Sequence, residues 1–231
     1  MWDELVREFT QNFIEKERWR YLWNGLGRTL LITLGAVALG IVLGFLVAAV
    51  RTTYDKTHRL KVLNAIAKIY LTVIRGTPVM IQLLLIYYGV FSAVKIDKLV
   101  VAIFAFGVNS GAYVAEIVRS GIMAVDAGQM EAGRSLGLGY VQTMWYIIMP
   151  QAFKNVLPAL GNEFIVLLKE TSVAGYIGLE DLTKGGDIIR SQTYEAFLPL
   201  IAVALIYLIM VMILSSLVTR LERRLARSDR G

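Results

Sequence analysis

Cysteine is absent from the 231 residues, which excludes a disulfide framework and a thiolate metal site. Histidine occurs once, as His58, in a basic stretch beside Arg59 and Lys61. A lone imidazole with no second ligand-type partner reads as interfacial, and no metal centre is expected. Charge is also scarce: Asp, Glu, Lys and Arg make up 18% of the chain, against 56% hydrophobic residues and a mean hydropathy of +0.59. A water-soluble domain of this length needs a more polar surface, so much of the apolar surface must face something other than water. No G-x-x-x-x-G-K-[ST] phosphate loop occurs, so any nucleotide hydrolysis would lie on another chain. One His and no Cys leave Ser, Thr and the acids as the whole nucleophile–base inventory. That is a poor basis for an intramembrane enzyme, the rival class of reading.

What is present is long uncharged sequence. Leu30 to Val50 is a run of about 21 residues without a formal charge, enough to cross a hydrocarbon core roughly 30 Å thick. Leu198 to Thr219 is a second such run. The chain therefore reads as an all-α integral membrane protein. Its formal charge of +6 and pI near 9.5 fit juxtamembrane Lys and Arg facing anionic lipid, rather than nucleic acid. No cleavable signal peptide is visible, and the first span is expected to serve as the targeting signal.

Residues 1–28 place Trp2, Phe9, Phe13, Trp19, Tyr21 and Trp23 among acids and bases, which predicts an amphipathic interfacial segment. Span one is expected over 29–50, with Gly35, Gly40 and Gly44 suited to close helix packing. The second, over 62–91, carries Arg75-Gly76-Thr77-Pro78, where Pro78 forces a break or kink. Three more are expected at 98–123, 156–176 and 197–219, followed by a basic cytoplasmic tail, 221–231. Lys and Arg counts do not choose between five spans and six. Length does: the piece before Arg75 is too short and polar to cross alone, giving five transmembrane helices with a kinked second one.

The polar connector, 124–154, reads as a helical elbow. Asp126 with Gln129 resembles a capping box, Gly137 can end the helix with a left-handed residue, and a second helix from Tyr140 stops at Pro150. Within it, Glu131-Ala132-Gly133, then Gly137, then Ile147-Ile148-Met149-Pro150, keeps the spacing of the EAA signature of ABC importer permeases. Gly133 departs from Ala and Met149 from Leu. Arg75-Gly76-Thr77-Pro78, Tyr113-Val114-Ala115-Glu116 with Arg119, Leu157 to Glu163, and Lys169-Glu170-Thr171-Ser172 are similar to its polar-amino-acid branch. The resemblance covers about residues 20–220, and the transmembrane domain it implies spans 29–220.

This resemblance implies a type I importer fold and a multi-pass permease of the bacterial inner membrane, moving a polar amino acid by alternating access. The elbow would be the coupling helix docked on a cytoplasmic ABC ATPase dimer, with Glu131, Ala132, Arg134 and Gly137 at the contact. Glu131 and Arg134 would pair with ATPase charges, while Gly137 would allow close approach and the turn. It also implies a second permease subunit and a periplasmic or lipid-anchored amino-acid-binding protein. No cofactor is expected on this chain, ATP-Mg belonging to the partner ATPase. A permease for another small solute is the alternative.

Polar groups at bilayer depth are the candidate solute contacts, because charge there costs roughly 2.5–3.5 kcal/mol on insertion scales. Glu163 and Glu170 lie seven apart on one expected helix and share a face, where they could receive an ammonium, pair with Arg75 or bond to a neighbouring span. The break at Arg75 and Thr77 exposes a helix N-terminus that could attract a carboxylate. Asn109, with Ser110 and Gly111, sits mid-span as helix glue or ligand contact. An anion-attracting break and a cation-attracting acid face together suit a zwitterion, with a tilt toward a cationic or neutral polar one.

Overall fold

The computed structural model describes residues 2–227, and all its regular elements among these residues are helical. A short α1, Trp2–Phe9, turns through Thr10–Glu17 into α2, Trp19–Thr57. The aromatics expected in the interfacial segment thus divide. Trp2, Val6 and Phe9 form an exposed apolar stripe on α1, while Trp19 and Trp23 belong to the first turns of α2 itself. Left-handed backbone at Lys16 and Glu17 makes the corner between them, and buried Asn12 anchors it by accepting from Thr193 Oγ1 at 2.8 Å.

α2 packs along α5, Lys98–Met123, and its small residues set the distance. A Cβ on Gly40 would come within 2.9 Å of Ser110, and one on Gly44 within 2.5 Å of Val114. The glycines read from the sequence are therefore the α2–α5 seam. Between the two lie α3, Lys61–Gly76, and α4, Val79–Leu85, which continues as a wide turn to Val90. The axis turns by 112° at Thr77 and Pro78. Of the break or kink expected at Pro78, the structure has the break: Pro78 supplies no N–H, and Thr77 and Pro78 both take extended backbone.

The elbow follows α5. Helix α6, Ala127–Ser135, is capped by Asp126, whose carboxylate accepts from the Gly128 N–H at 2.7 Å. The reciprocal half of the capping box does not form, because Gln129 Oε1 faces Gln151 Nε2 instead. At the other end Gly137 has φ of 83°, with Leu138 N–H bonded to Gly133 C=O and Gly137 N–H to Arg134 C=O, the Schellman arrangement. A single turn, α7, Tyr140–Thr143, widens over Met144–Ile148 and runs directly into α8, Met149–Glu170. Pro150 therefore does not stop the helix. It lies at the first turn of α8, and the wide turn before it relieves the clash with the preceding carbonyl.

α8 returns along α5 to the end of the bundle opposite the elbow, where a 3₁₀ stretch, Thr171–Ile177, leads to α9, Leu182–Thr193. α9 lies against the first turns of α2, with Leu182 N–H donating to Thr29 Oγ1 at 3.1 Å. α10, Phe197–Arg227, then runs back along α8, carrying Arg220, Arg223 and Arg224 toward the elbow end. Arg230 of the expected tail lies outside the described residues.

Among the described residues, three helices are long and apolar enough to cross a membrane: Trp19–Thr57, Lys98–Met123 and Phe197–Leu225. The bent α3–α4 pair makes a fourth if taken as one crossing. The remaining span, expected at 156–176, falls on α8 from Val156 onward and on the 3₁₀ stretch after it. At 22 residues α8 is about 33 Å long, but Lys154, Glu163, Lys169 and Glu170 keep it below that apolarity, and α5 and α10 pack against it. The full five is reached only by counting this shielded helix.

Candidate functional site

α5 presents Asn109, Tyr113 and Glu116 at i, i+4 and i+7, so all three lie on one helical face. That face receives the α3–α4 corner. Glu116 pairs with Arg75 at 3.5 Å, and the Arg75 guanidinium lies 5.8 Å from the centre of the Tyr113 ring. Leu71, Thr72, Arg75, Gly76 and Tyr113 line a cleft of about 540 Å³, a size suited to a small molecule. The charges continue toward the elbow. Arg119 sits 3.5 Å from Glu116 and 3.1 Å from Asp55 at the end of α2. Arg75 and Glu116 keep 44% and 38% of their side-chain surface open. At membrane depth such surface must face water or another protein subunit, since lipid would penalise it.

The other candidates are placed differently. Glu163 is buried, and its Oε1 accepts from Ser110 Oγ at 2.9 Å. The pairing with Arg75 weighed from the sequence does not form, because Glu116 takes Arg75, while the hydrogen bond to a neighbouring span does. Glu170 is half-buried at the last turn of α8, two turns from Glu163 as expected. Thr77 is exposed at the corner, its hydroxyl donating to Val73 C=O at 2.8 Å. Asn109 is buried and donates through Nδ2 to Gln82 Oε1 at 2.9 Å.

Glu116, Tyr113 and Gln82 were not among the solute contacts expected from the sequence. The i, i+4, i+7 spacing of Asn109, Tyr113 and Glu116 was a signal that could have joined the first two to them.

At the elbow, Glu131, Ala132, Arg134 and Gly137 are all exposed, while Gly133 between them is buried. A Cβ at Gly133 would meet Thr143 Oγ1 at 2.9 Å, so the departure from the E-A-A pattern has a packing reason. Gly137 has open space around it within this chain. The left-handed backbone, with φ of 83°, favours glycine here.

Bilayer-length helices, a charged cleft between them and a projecting, rigidly capped elbow define an integral membrane transport component. The chain belongs to the family of binding-protein-dependent transport system inner membrane components, whose pattern matches residues 40–227. It is 37% identical over 211 residues to the arginine transport system permease protein ArtQ of Bacillus subtilis (strain 168), covering 90% of this chain and 94% of that one. It is 36% identical over 217 residues to the glutamine transport system permease protein GlnP of Escherichia coli (strain K12), covering 90% and 97%. A crystal structure of an amino acid ABC transporter with histidines superposes with a TM-score of 0.84 and 44% identity, over 92% of this chain and 98% of that one. An inward-facing structure of the methionine transporter MetNI superposes with a TM-score of 0.77 at 22% identity, over 89% and 96%, and shares the fold. The chain is a transport permease subunit, not an enzyme.

Proposed function

We propose that this subunit carries an amino acid through the cytoplasmic membrane of a bacterium by alternating access, driven by ATP hydrolysis on a partner. The observation that carries the reading is the Arg75–Glu116 ion pair at 3.5 Å, beside a cleft between spans that Arg75 and Tyr113 line. Arg75 would take the solute carboxylate and Glu116 its ammonium, with Thr77 at the corner above them. The amino-acid permeases among its relatives support the same solute class.

The elbow is the drive shaft. Glu131, Ala132 and Arg134 stand free on a nine-residue helix locked at both ends by Asp126 and Gly137, so a push on it is transmitted rather than absorbed. Its partner is an ATPase dimer holding ATP-Mg, one ATPase for each of two permease halves. A binding protein delivers solute at the opposite end. α5 links the two working parts, since the same helix carries Tyr113 and Glu116 and ends where the elbow begins.

The test is reconstitution of the permease with its ATPase and binding protein in liposomes, scored by uptake of radiolabelled amino acids. Glu116→Gln and Arg75→Ala are expected to raise the uptake KM at least tenfold, and Glu131→Lys to abolish solute-stimulated ATP hydrolysis while leaving thermal stability intact. An unchanged KM in both cleft variants would remove the cleft from the solute path. Unchanged stimulation in Glu131→Lys would remove the elbow from coupling.

A further inference from the structure

The corner between α3 and α4 leaves backbone groups without helical partners, and one side chain collects them. In an unbroken helix the N–H of residue 78 would bond to Ile74 C=O. Pro78 has no N–H, and Gln82 Nε2 occupies that place, 2.7 Å from the Ile74 oxygen. The same nitrogen lies 3.0 Å from Thr77 C=O and 2.8 Å from Thr77 Oγ1, so its two hydrogens are shared among three oxygens of the corner. This fixes the orientation of the amide: turned over, Gln82 Oε1 would confront those oxygens.

With the amide so fixed, Oε1 points at α5 and accepts from Asn109 Nδ2 at 2.9 Å. Gln82 is 6% exposed and Asn109 2% exposed, which leaves little room for water to replace either bond. Asn109 Oδ1 is left with no partner among the described residues. An unpaired buried carbonyl is tolerated only where the other contacts of the side chain hold it in place. Asn109 is one turn from Tyr113 and two from Glu116, and Thr77 is two residues from Arg75. The bond between the two amides therefore joins the corner to α5 beside the cleft.

We propose that Gln82 is a positioning residue for transport: it supplies the donor that Pro78 lacks and ties the α3–α4 corner to Asn109, setting Arg75 against Tyr113 and Glu116. This rests on the reading of that cleft as the solute path. Gln82 touches no solute. Its effect reaches transport through the place it gives Arg75.

The absence of cysteine makes a direct test possible. Nitroxide labels on cysteines introduced at Ile69 on α3 and Leu85 on α4, both exposed, report the corner through their separation in the assembled importer. A narrow distance distribution is expected with Gln82 present. It should broaden by several ångströms in Gln82→Leu and in Gln82→Glu, an isostere whose carboxylate cannot donate to three oxygens. Asn109→Ala keeps the corner bonds but cuts the tie to α5. All three should raise the uptake KM about tenfold while basal ATP hydrolysis stays within about twofold. Gln82→Glu covers the case in which Gln82→Leu fails to fold.

An unchanged distribution in the Gln82 variants would overturn the proposal. A broadened distribution with unchanged KM would overturn it as well. In that event Glu116→Gln says which part failed: if it still raises KM, the cleft stands and Gln82 alone is displaced; if not, the reading of the cleft has failed first.

Discussion

Gly133 and Thr143 face each other across the elbow, with no space between them for a methyl group: a Cβ at position 133 would collide with Thr143 Cγ2 and lie 3.1 Å from Ile147 Cδ1. The contact closes α6 onto the wide turn that leads into α8, so it helps fix the angle at which Glu131 and Arg134 are presented. Gly133→Ala should therefore loosen the elbow. Overpacking costs typically about 1–3 kcal/mol, and faster proteolysis within 124–148 should accompany reduced solute-stimulated ATP hydrolysis. Thr143→Ser removes the colliding methyl and lets the hydroxyl swing away. Combined with Gly133→Ala it should restore more than half of the lost stimulation. If the single and double variants behave alike, this contact does not set the elbow.

The α2–α5 seam offers a cleaner comparison, because two glycines of one helix have opposite surroundings. A Cβ at Gly44 would come within 2.5 Å of Val114 Cγ1 and 2.9 Å of the Ala115 backbone nitrogen, whereas at Gly27 nothing lies within 4 Å. Gly44→Ala should lower the detergent-solubilised melting temperature by several degrees, the seam being forced apart. Gly27→Ala should hold or raise it, since alanine favours the helix by up to about 1 kcal/mol. Equal shifts in the two variants would mean that the seam tolerates separation.

Glu163 gives the sharpest contrast between solute contact and structural bond. Its carboxylate is buried beneath Ser110 Oγ, and glutamine offers the same acceptor without charge. Glu163→Gln should keep the uptake KM within about twofold. Glu163→Leu leaves the Ser110 hydroxyl unpaired, a loss of about 1–3 kcal/mol, and should lower the melting temperature. A tenfold rise in KM for Glu163→Gln would mean that α5 and α8 part during transport and expose the carboxylate to solute.

Local chemistry was legible in the sequence. Uncharged runs marked the long spans, Asp126 and Gly137 marked both ends of α6, and small residues on one stripe of α2 marked its close neighbour. Each of these is decided within a few turns of one helix. Facing partners were not legible. Spacing put Glu163 and Glu170 on one side of a helix, but only the rotation of α8 against α5 places Glu163 under Ser110 and leaves Glu116 for Arg75. Pro150 was read as a stop because a proline clashes within a regular helix. At a first turn preceded by a wide one it does not. Gln82 looked like any amide in an apolar run, for its task exists only once the chain has turned by 112° at Pro78.

Asp181 links stability to pH at the end opposite the elbow. It is fully buried in the connection before α9 and caps that helix, accepting from Thr183 N–H at 3.2 Å and Lys184 N–H at 3.1 Å. Burial pushes its carboxyl from the ordinary 3.8 up to about 6, with the capping bonds pulling in the opposite direction. The folded state thus holds this proton more tightly than the unfolded chain does. Protonation favours folding, and the contribution is complete below about pH 4 and lost as pH rises through 6. Asp181→Asn keeps an oxygen for one of the two capping bonds, with an amide nitrogen in place of the oxygen that takes the other, and like the protonated carboxyl it carries no charge. Its melting temperature should match that of the native chain near pH 4 and exceed it above pH 6, the gap opening between those values. Comparing the two proteins cancels every other titrating group. A gap of the same size at pH 4 and pH 8 would show that the residue contributes by shape alone.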